Sequence, residues 1–256
     1  MKIIPSSWLA GALLAAGSMA WGSDQGLVVY YSFDAAPVAG KVIDESGGGN
    51  DGLVRGATHQ AAGLFGGAMA FDGVDDWIEV LNPYVIEPWE KHQYSVSLWV
   101  RSESLINFHE ARPILGDNRR YQVAAGISGD LPVLTSHAGN FTDCCVGEPV
   151  VTVPLEGSPS AWRHILLVVD EYAVPSTRLY IDGDLAGESR DAGANHGGYG
   201  LLIGAVRDGL SQPGRGWVGQ IDEVRIYDRV LHPAEIDRLS QAPGTVSKTD
   251  IARSAP

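Results

Sequence analysis

The sequence has few cysteines, few basic residues and, beyond its N-terminus, no long apolar run. Its 18 Lys and Arg are outnumbered by 31 Asp and Glu, giving a formal net charge of −13. Such a surface repels nucleic acid and anionic lipid, so nucleic-acid binding is not expected. The two cysteines, Cys144 and Cys145, are adjacent and cannot join distant strands. They either close a vicinal disulfide or stay reduced, and they lack the spacing of a redox motif.

The one long apolar stretch lies at the N-terminus. Lys2 precedes an apolar run centred on residues 8–16, which ends in small residues near Ala20. This order predicts a cleaved export signal over residues 1–22. A membrane anchor needs about 18 or more apolar residues, and Gly11 and Gly17 interrupt the run before that length. We therefore expect a secreted or otherwise extracytoplasmic protein with no membrane span in the mature chain.

Helical periodicity is also scarce. Short runs of two-residue alternation, separated by Gly, Pro, Asn and Asp, fill residues 26–227 and predict an all-β, antiparallel two-sheet sandwich. The clearest predicted strands are Leu27–Phe33, Ala68–Phe71, Trp77–Val80, Tyr94–Arg101, Tyr121–Ile127, Trp162–Val169, Arg178–Ile181, Leu201–Ile203 and Val218–Tyr227. We interpret residues 23–241 as one domain and residues 242–256 as a disordered tail.

Three local signals refine this picture. In Tyr94–Arg101, Val96, Leu98 and Val100 share one face of the strand, and Trp99 points to the other with the serines. Asp182-Gly183 predicts a tight hairpin turn. A short helix is predicted over Pro233–Ser240, where it would cap one end of the sandwich.

Four motifs occur in a fixed order along the chain. They are Tyr31-Ser32-Phe33-Asp34, Ala70-Phe71-Asp72-Gly73-Val74-Asp75-Asp76-Trp77-Ile78-Glu79-Val80, Trp162-Arg163-His164 and Gly219-Gln220-Ile221-Asp222-Glu223-Val224-Arg225-Ile226-Tyr227. In this series the chain resembles the laminin-G-like, concanavalin A-like jelly-roll family from about Gly26 to Leu239. The resemblance implies a jelly-roll sandwich and a binding function.

The resemblance also implies a calcium ion at the sandwich rim. The family pattern is matched by Phe33-Asp34, by the segment from Asp44 to Asn50, and by Ile221-Asp222. Calcium takes six to eight oxygen ligands, which carboxylates, amides and glycine-rich turns supply. The candidate ligands are Asp34, Asn50 and Asp222, followed by Asp44 and Asp72. The alternative is that Asp72-Gly73 and Asp75-Asp76 are ordinary turn formers. We expect any calcium to be structural.

Catalytic signatures are missing from the sequence. No Glu-x-Asp-x-Glu strand presents the paired carboxylates of a glycosidase, and no Gly-x-Ser-x-Gly elbow is present. His164, two residues after Trp162 and ahead of an apolar run, is interpreted as a hydrogen-bonded core residue. The remaining histidines lack the close spacing of zinc motifs.

Long predicted loops carry aromatic and polar residues together, a composition typical of glycan sites. The candidate ligand-binding residues are Phe108, His137, Asn140, Phe141, Tyr199 and Arg207. Each ring could instead pin its own loop.

The sequence thus predicts an exported, non-catalytic module that binds carbohydrate or an extracellular protein partner, with a structural calcium ion. Two alternatives remain open. One is an extracellular structural or adhesion subunit that self-assembles. The other is a polysaccharide-cleaving enzyme with an atypical site.

Overall fold

A computed structural model describes residues 25–82, 92–102, 112–116, 151–154, 158, 160–190, 200–205 and 216–242, and the backbone alone of residues 121–128 and 131–138. The predicted export signal, residues 243–256 of the predicted tail and the Cys144–Cys145 pair lie outside the described residues.

The described part of the chain is built of strands and one short helix. In chain order these are β1 (Leu27–Tyr31), β2 (Lys41–Val42), β3 (Gly52–Arg55), β4 (Thr58–Gln60), β5 (Ala68–Asp72), β6 (Trp77–Val80), β7 (Gln93–Ser102), β8 (Arg112–Gly116), β9 (Tyr121–Ser128), β10 (Leu131–Ala138), β11 (Val151–Pro154), β12 (Arg163–Asp170), β13 (Thr177–Ile181), β14 (Asp184–Ser189), β15 (Leu202–Ile203), β16 (Val218–Tyr227) and helix α1 (Pro233–Leu239).

The strands form two antiparallel sheets. Sheet 1 has the order β14-β13-β12-β7-β16-β5-β4, and β1 pairs with the C-terminal half of β16. Sheet 2 has the order β11-β10-β9-β8-β15-β6-β3-β2. Many neighbouring strands are distant in sequence, as in a jelly roll. The all-β, two-sheet prediction is therefore confirmed.

The main core lies between the sheets. Val96, Leu98 and Val100 of β7 enter it from sheet 1, and Ile78 of β6 and Ile114 of β8 enter it from sheet 2. Alternate residues of a strand face opposite sides, so this set confirms the predicted inner face of β7. Trp99 belongs to the outer face, as predicted.

A second apolar cluster covers part of the outer face of sheet 1. Ile236 of α1 and Leu231 pack on Leu166, Val168 and Tyr227. The helix confirms the prediction and ends one residue earlier than expected, at Leu239. Arg229 and Glu235 form a two-point ion pair at its start, with N–O distances of 2.8 and 2.6 Å. Because Ile236 packs on sheet 1, helix α1 lies on the outer face of that sheet and does not cap the end of the sandwich, where it was predicted.

The buried histidine and the hairpin also follow the sequence predictions. His164 is fully buried, and its Nε2 lies 2.8 Å from the hydroxyl of Ser97. Burial lowers the pKa of His164 to about 3, so the ring is neutral at physiological pH. Asp182 and Gly183 both have positive φ, as a type I′ turn requires.

Several strands were not predicted from the sequence. They include the short β2, β3 and β4, the proline-containing β8, and β10 and β11. The first strand was predicted too long, since Phe33 has a φ of 58° and the strand ends at Tyr31.

Among the described residues, no helix has both the length and the apolar character that a membrane crossing needs.

Gly204 provides a test of how the two sheets are joined. It has a φ of +85°, and a Cβ there would lie 2.3 Å from the ring of Phe71. Gly47 has nearly the same φ, +84°, with nothing within 4 Å of its Cβ position. Gly47→Ala should therefore cost only the left-handed backbone strain, about 1 kcal/mol. Gly204→Ala adds a core clash and should cost about 3 kcal/mol. Urea unfolding measures both, and equal losses would contradict the described packing.

Candidate functional site

A bulge in β16 sets the chemistry of the outer face of sheet 1. Asp222 pairs with Trp99 and Arg225 pairs with Ser97, so β16 has one extra residue at this point. Glu223 takes the positive φ, 55°, that the bulge requires. As a result Asp222, Glu223 and Arg225 all belong to the outer side, while the flanking apolar residues remain in the core.

The carboxylate of Asp222 holds the loop of residues 63–67 against this face. Its Oδ2 accepts hydrogen bonds from the backbone N–H groups of Leu64, at 2.9 Å, and Phe65, at 3.0 Å. A Cβ at Gly63 would lie 2.8 Å from the same oxygen and 2.4 Å from the carbonyl oxygen of Gly67, so the close approach requires glycine. Asp222 is thereby 0% exposed.

Phe65 of loop 63–67, the outer face of sheet 1 and the end of α1 line an open pocket of about 270 Å³. That volume is near the lower end of small-molecule sites, roughly 300 Å³. The lining residues are Leu27, Tyr30, Phe65, Trp99, Glu223, Arg225, Tyr227, Arg238, Leu239 and Gln241.

A bonded trio of polar groups forms one wall of the pocket. The Tyr30 hydroxyl donates to Glu223 Oε1 at 3.1 Å, and Arg225 pairs with Glu223 Oε2 at 2.5 Å. The Arg225 guanidinium also lies 4.0 Å from the centroid of the Tyr30 ring, a cation–π contact. The side chains are thus held in place before any ligand arrives.

Aromatic rings form another part of the lining. Trp99 is 4% exposed and packs on the neutral ring of His164, with centroids 5.2 Å apart. The half-buried ring of Phe65 meets Trp99 edge-on at 5.8 Å. Phe65 and Trp99 therefore give the pocket an aromatic part of its lining.

Burial dominates the electrostatics of this region. It raises the pKa of Asp222 to about 7, since desolvation outweighs the two backbone hydrogen bonds. Asp222 Oδ1 is buried and has no hydrogen-bond partner within the described part of the chain. Burial also raises the pKa of the Tyr30 hydroxyl, which keeps it protonated at neutral pH.

The five predicted calcium ligands lie in three separate places. Asp44 Oδ1 accepts from Tyr30 N and Ser46 N, and its Oδ2 accepts from Ser46 Oγ and Asn50 N, all at 2.8 to 3.0 Å. Burial acts to raise the pKa of Asp44, but these bonds lower it overall. The Asn50 side chain donates to the carbonyl oxygen of Val28. Asp44 and Asn50 thus close the loop between β2 and β3.

Asp34 and Asp222 both contact loop 63–67. Asp34 Oδ1 accepts from the N–H of Gly67 at 3.0 Å, and Asp222 holds Leu64 and Phe65 as described above. Asp34 and Asp222 therefore both hold loop 63–67 in place through backbone hydrogen bonds.

Asp72 belongs to the acidic turn between β5 and β6. Together with Asp75 and Asp76 it offers carboxylate oxygens that all lie within 4.8 Å of one another. Among the described residues this is the one group of three acidic, histidine or cysteine side chains that meets this distance. Burial, followed by the charges of Asp72 and Asp75, raises the pKa of Asp76. A divalent cation would relieve that repulsion, so the donor set fits calcium.

The predicted ligand-binding residues fall largely outside the described residues. These are Phe108, Asn140, Phe141, Tyr199 and Arg207. His137 lies in β10, where its backbone pairs with Gln122 of β9. Their predicted roles stay predictions.

The pocket residues themselves were not predicted. Their signal was nevertheless present in the sequence: Ile221, Val224 and Ile226 are spaced by three and then by two, which indicates a bulge in an otherwise regular strand. Arg238 and Phe65 carry no comparable signal, because only the tertiary structure brings them to β16.

Asp222 generates a testable pH dependence. The folded protein holds a proton up to about pH 7 that the unfolded chain releases near pH 4. The protonated Asp222 side chain therefore stabilises the folded state fully below about pH 4. This contribution to the free energy of unfolding is lost as the pH rises through about 7. Between pH 5 and pH 8, the free energy of unfolding of the wild type should fall by about 2 kcal/mol relative to that of Asp222→Asn, which cannot ionise.

Chemical unfolding in chelator measures this difference. Glu188→Gln, at an exposed position in β14, is the control and should follow the wild-type pH profile. Parallel profiles for wild type and Asp222→Asn would show that Asp222 does not titrate in this range.

The sequence matches a known protein family. A laminin-G-type family model, described as the concanavalin A-like lectin/glucanases superfamily, matches residues 72–237. Neuronal pentraxin-2 of Cavia porcellus is 26% identical over an alignment of 163 residues that covers 59% of this chain. The match spans only 34% of the pentraxin's length.

Solved structures of low identity share the fold. Domain 4 of the extracellular arabinanase AbnA from Geobacillus stearothermophilus, solved with arabinotriose, has a TM-score of 0.58 at 21% identity and covers 84% of this chain and 98% of its own. The binding domain of Paraclostridial mosquitocidal protein 1 has a TM-score of 0.60 at 15% identity and covers 85% and 52%. At these identities the likeness extends to the fold alone. Since the family model covers well over half of the sequence, the chain belongs to the concanavalin A-like lectin/glucanases superfamily.

Proposed function

We propose that this protein is an exported, non-catalytic binding module whose pocket on the outer face of sheet 1 recognises carbohydrate. The observation that carries the proposal is the pairing of an aromatic surface with a pre-formed Arg–Glu pair in one small pocket. Family membership supports a binding role, and the proposed export signal supports an extracytoplasmic location.

The pocket offers the two kinds of contact that a sugar ring needs. The apolar C–H face of a sugar packs against a ring such as Phe65 or Tyr30. The hydroxyl groups pair with Arg225, which donates, and Glu223, which accepts. Since Glu223 and Arg225 already hold each other at 2.5 Å, little side-chain freedom is lost on binding.

The same contacts favour binding over catalysis. Most glycosidases use two carboxyl groups flanking the scissile bond, whereas Glu223 is the one carboxylate among the described lining residues. Tyr30 has a raised pKa and is a poor proton acceptor at neutral pH. These features support a module that binds without turnover.

We further propose a structural calcium ion at the acidic turn of Asp72, Asp75 and Asp76. The turn connects β5 of sheet 1 to β6 of sheet 2, so a bound cation would fix the passage between the sheets. Asp76 Oδ2 accepts from the N–H of Asp72, and Asp72 Oδ1 accepts from that of Val74, both at 2.8 Å. The carboxylate oxygens not used in these bonds would hold the ion.

Phe65 provides a clean test of the pocket. Asp222 binds the backbone of loop 63–67, so Phe65→Ala removes the ring and leaves the loop anchor in place. Affinity for a glycan identified on an array should fall about tenfold, near 1.4 kcal/mol.

Tyr172→Ala is the matched control, because Tyr172 is a 72% exposed aromatic that does not line the pocket. The glycan affinity of Tyr172→Ala should equal that of wild type. Equal losses in both variants would remove the pocket from the proposal. An array without any bound glycan would redirect the search to a protein partner.

Calcium should raise the melting temperature through linkage to the native state. The charge of Asp75 repels that of Asp76, so Asp75→Asn should raise the melting temperature slightly in chelator and abolish most of the calcium-dependent rise. Glu188→Gln removes the same charge elsewhere and should retain the full rise. A wild-type melt that is identical in calcium and in chelator, with no metal in elemental analysis, would contradict the site.

A further inference from the structure

We propose that the pocket selects sugars that carry a carboxylate, of the uronic acid type, and that Arg238 is the specificity-determining residue. This inference rests on the proposed function, because it names the class of sugar that the same pocket takes.

The two arginines that line the pocket differ in whether an acidic side chain neutralises them. Arg225 is neutralised by Glu223 and is held over the ring of Tyr30. Arg238 is exposed, lies in the last turn of α1, and forms no ion pair within the described part of the chain. Its neighbour one turn earlier, Glu235, is occupied by Arg229. One cation in the pocket wall is therefore left for a ligand.

Two other carboxylates act on the Tyr30–Glu223 pair. Asp34 acts electrostatically on Glu223, and Glu45 acts on Tyr30. Negative charge is thus concentrated beside the Tyr30–Glu223 pair, whereas Arg238 is a lining cation without an ion pair in the described part of the chain. A ligand with its hydroxyls toward Glu223 and its carboxylate toward Arg238 would complement both.

The chemistry of arginine favours a carboxylate over a hydroxyl. A guanidinium offers parallel N–H donors that match both oxygens of a carboxylate, and such charge-assisted bonds are about twice as strong as neutral ones. The net charge of the whole protein, −13, does not cancel this preference. At physiological salt, exposed charges beyond roughly 8 Å are largely screened, so the groups in contact with the ligand decide.

Matched sugar pairs test the inference directly. Methyl glucuronide and glucoside, galacturonide and galactoside, and mannuronide and mannoside each differ only by a carboxylate at C6. Isothermal titration at pH 7 should show at least one acid binding about tenfold more tightly than its neutral partner, the size of one charge-assisted contact.

Variants of Arg238 assign that preference to the pocket. Arg238→Gln should erase the difference in affinity within the pair, and Arg238→Lys should keep part of it. Arg55→Gln removes an exposed arginine of sheet 2 and should retain the full preference.

The outcomes separate this inference from the proposed function. If neutral sugars bind as tightly as their acids, and Phe65→Ala weakens them, carbohydrate binding stands and carboxylate selection is overturned. A preference that persists in Arg238→Gln overturns the role of Arg238. If no sugar of either kind binds, both proposals are overturned.

Discussion

The buried carboxylate of Asp222 is the contact on which the pocket depends. Hydrogen bonds from the N–H groups of Leu64 and Phe65 fix a loop across the outer face of sheet 1. Bonds to a charged acceptor are worth about 1.5–3 kcal/mol each, yet burial still raises the pKa of this carboxyl to about 7. Desolvation of the carboxyl group is thus a larger effect on its pKa than the two hydrogen bonds. The same bonds hold the Phe65 ring beside Trp99.

The bulge of β16 and the position of α1 complete the site. Without the extra residue, regular alternation would place Glu223 and Arg225 in phase with the core residue Ile221. The helix closes the other side because its apolar face packs on Leu166 and Val168. Three local features, a loop, a bulge and a helix, therefore convert a flat sheet into a pocket with aromatic, acidic and basic walls.

The sequence predicted the fold better than the site, for a physical reason. Two-residue alternation in β7, the apolar run of β12 and the Asp182-Gly183 turn are local signals, and they predicted strands, the inner face of β7 and the hairpin correctly. The acidic motif of Asp44 and Asn50 was equally visible, but the structure shows it closing its own loop with hydrogen bonds. The pocket joins residues as distant as Tyr30 and Arg238, and no local pattern can bring these together.

Membership of a superfamily establishes an architecture and leaves the ligand to be decided by particular side chains. The central claim is that these side chains form a saccharide site on the outer face of sheet 1. A crystal structure of the protein soaked with the tightest-binding sugar tests it most directly. The account predicts the sugar between Phe65 and the Glu223–Arg225 pair, with any carboxylate at Arg238. A sugar bound at another surface, with this pocket holding only water, would contradict it.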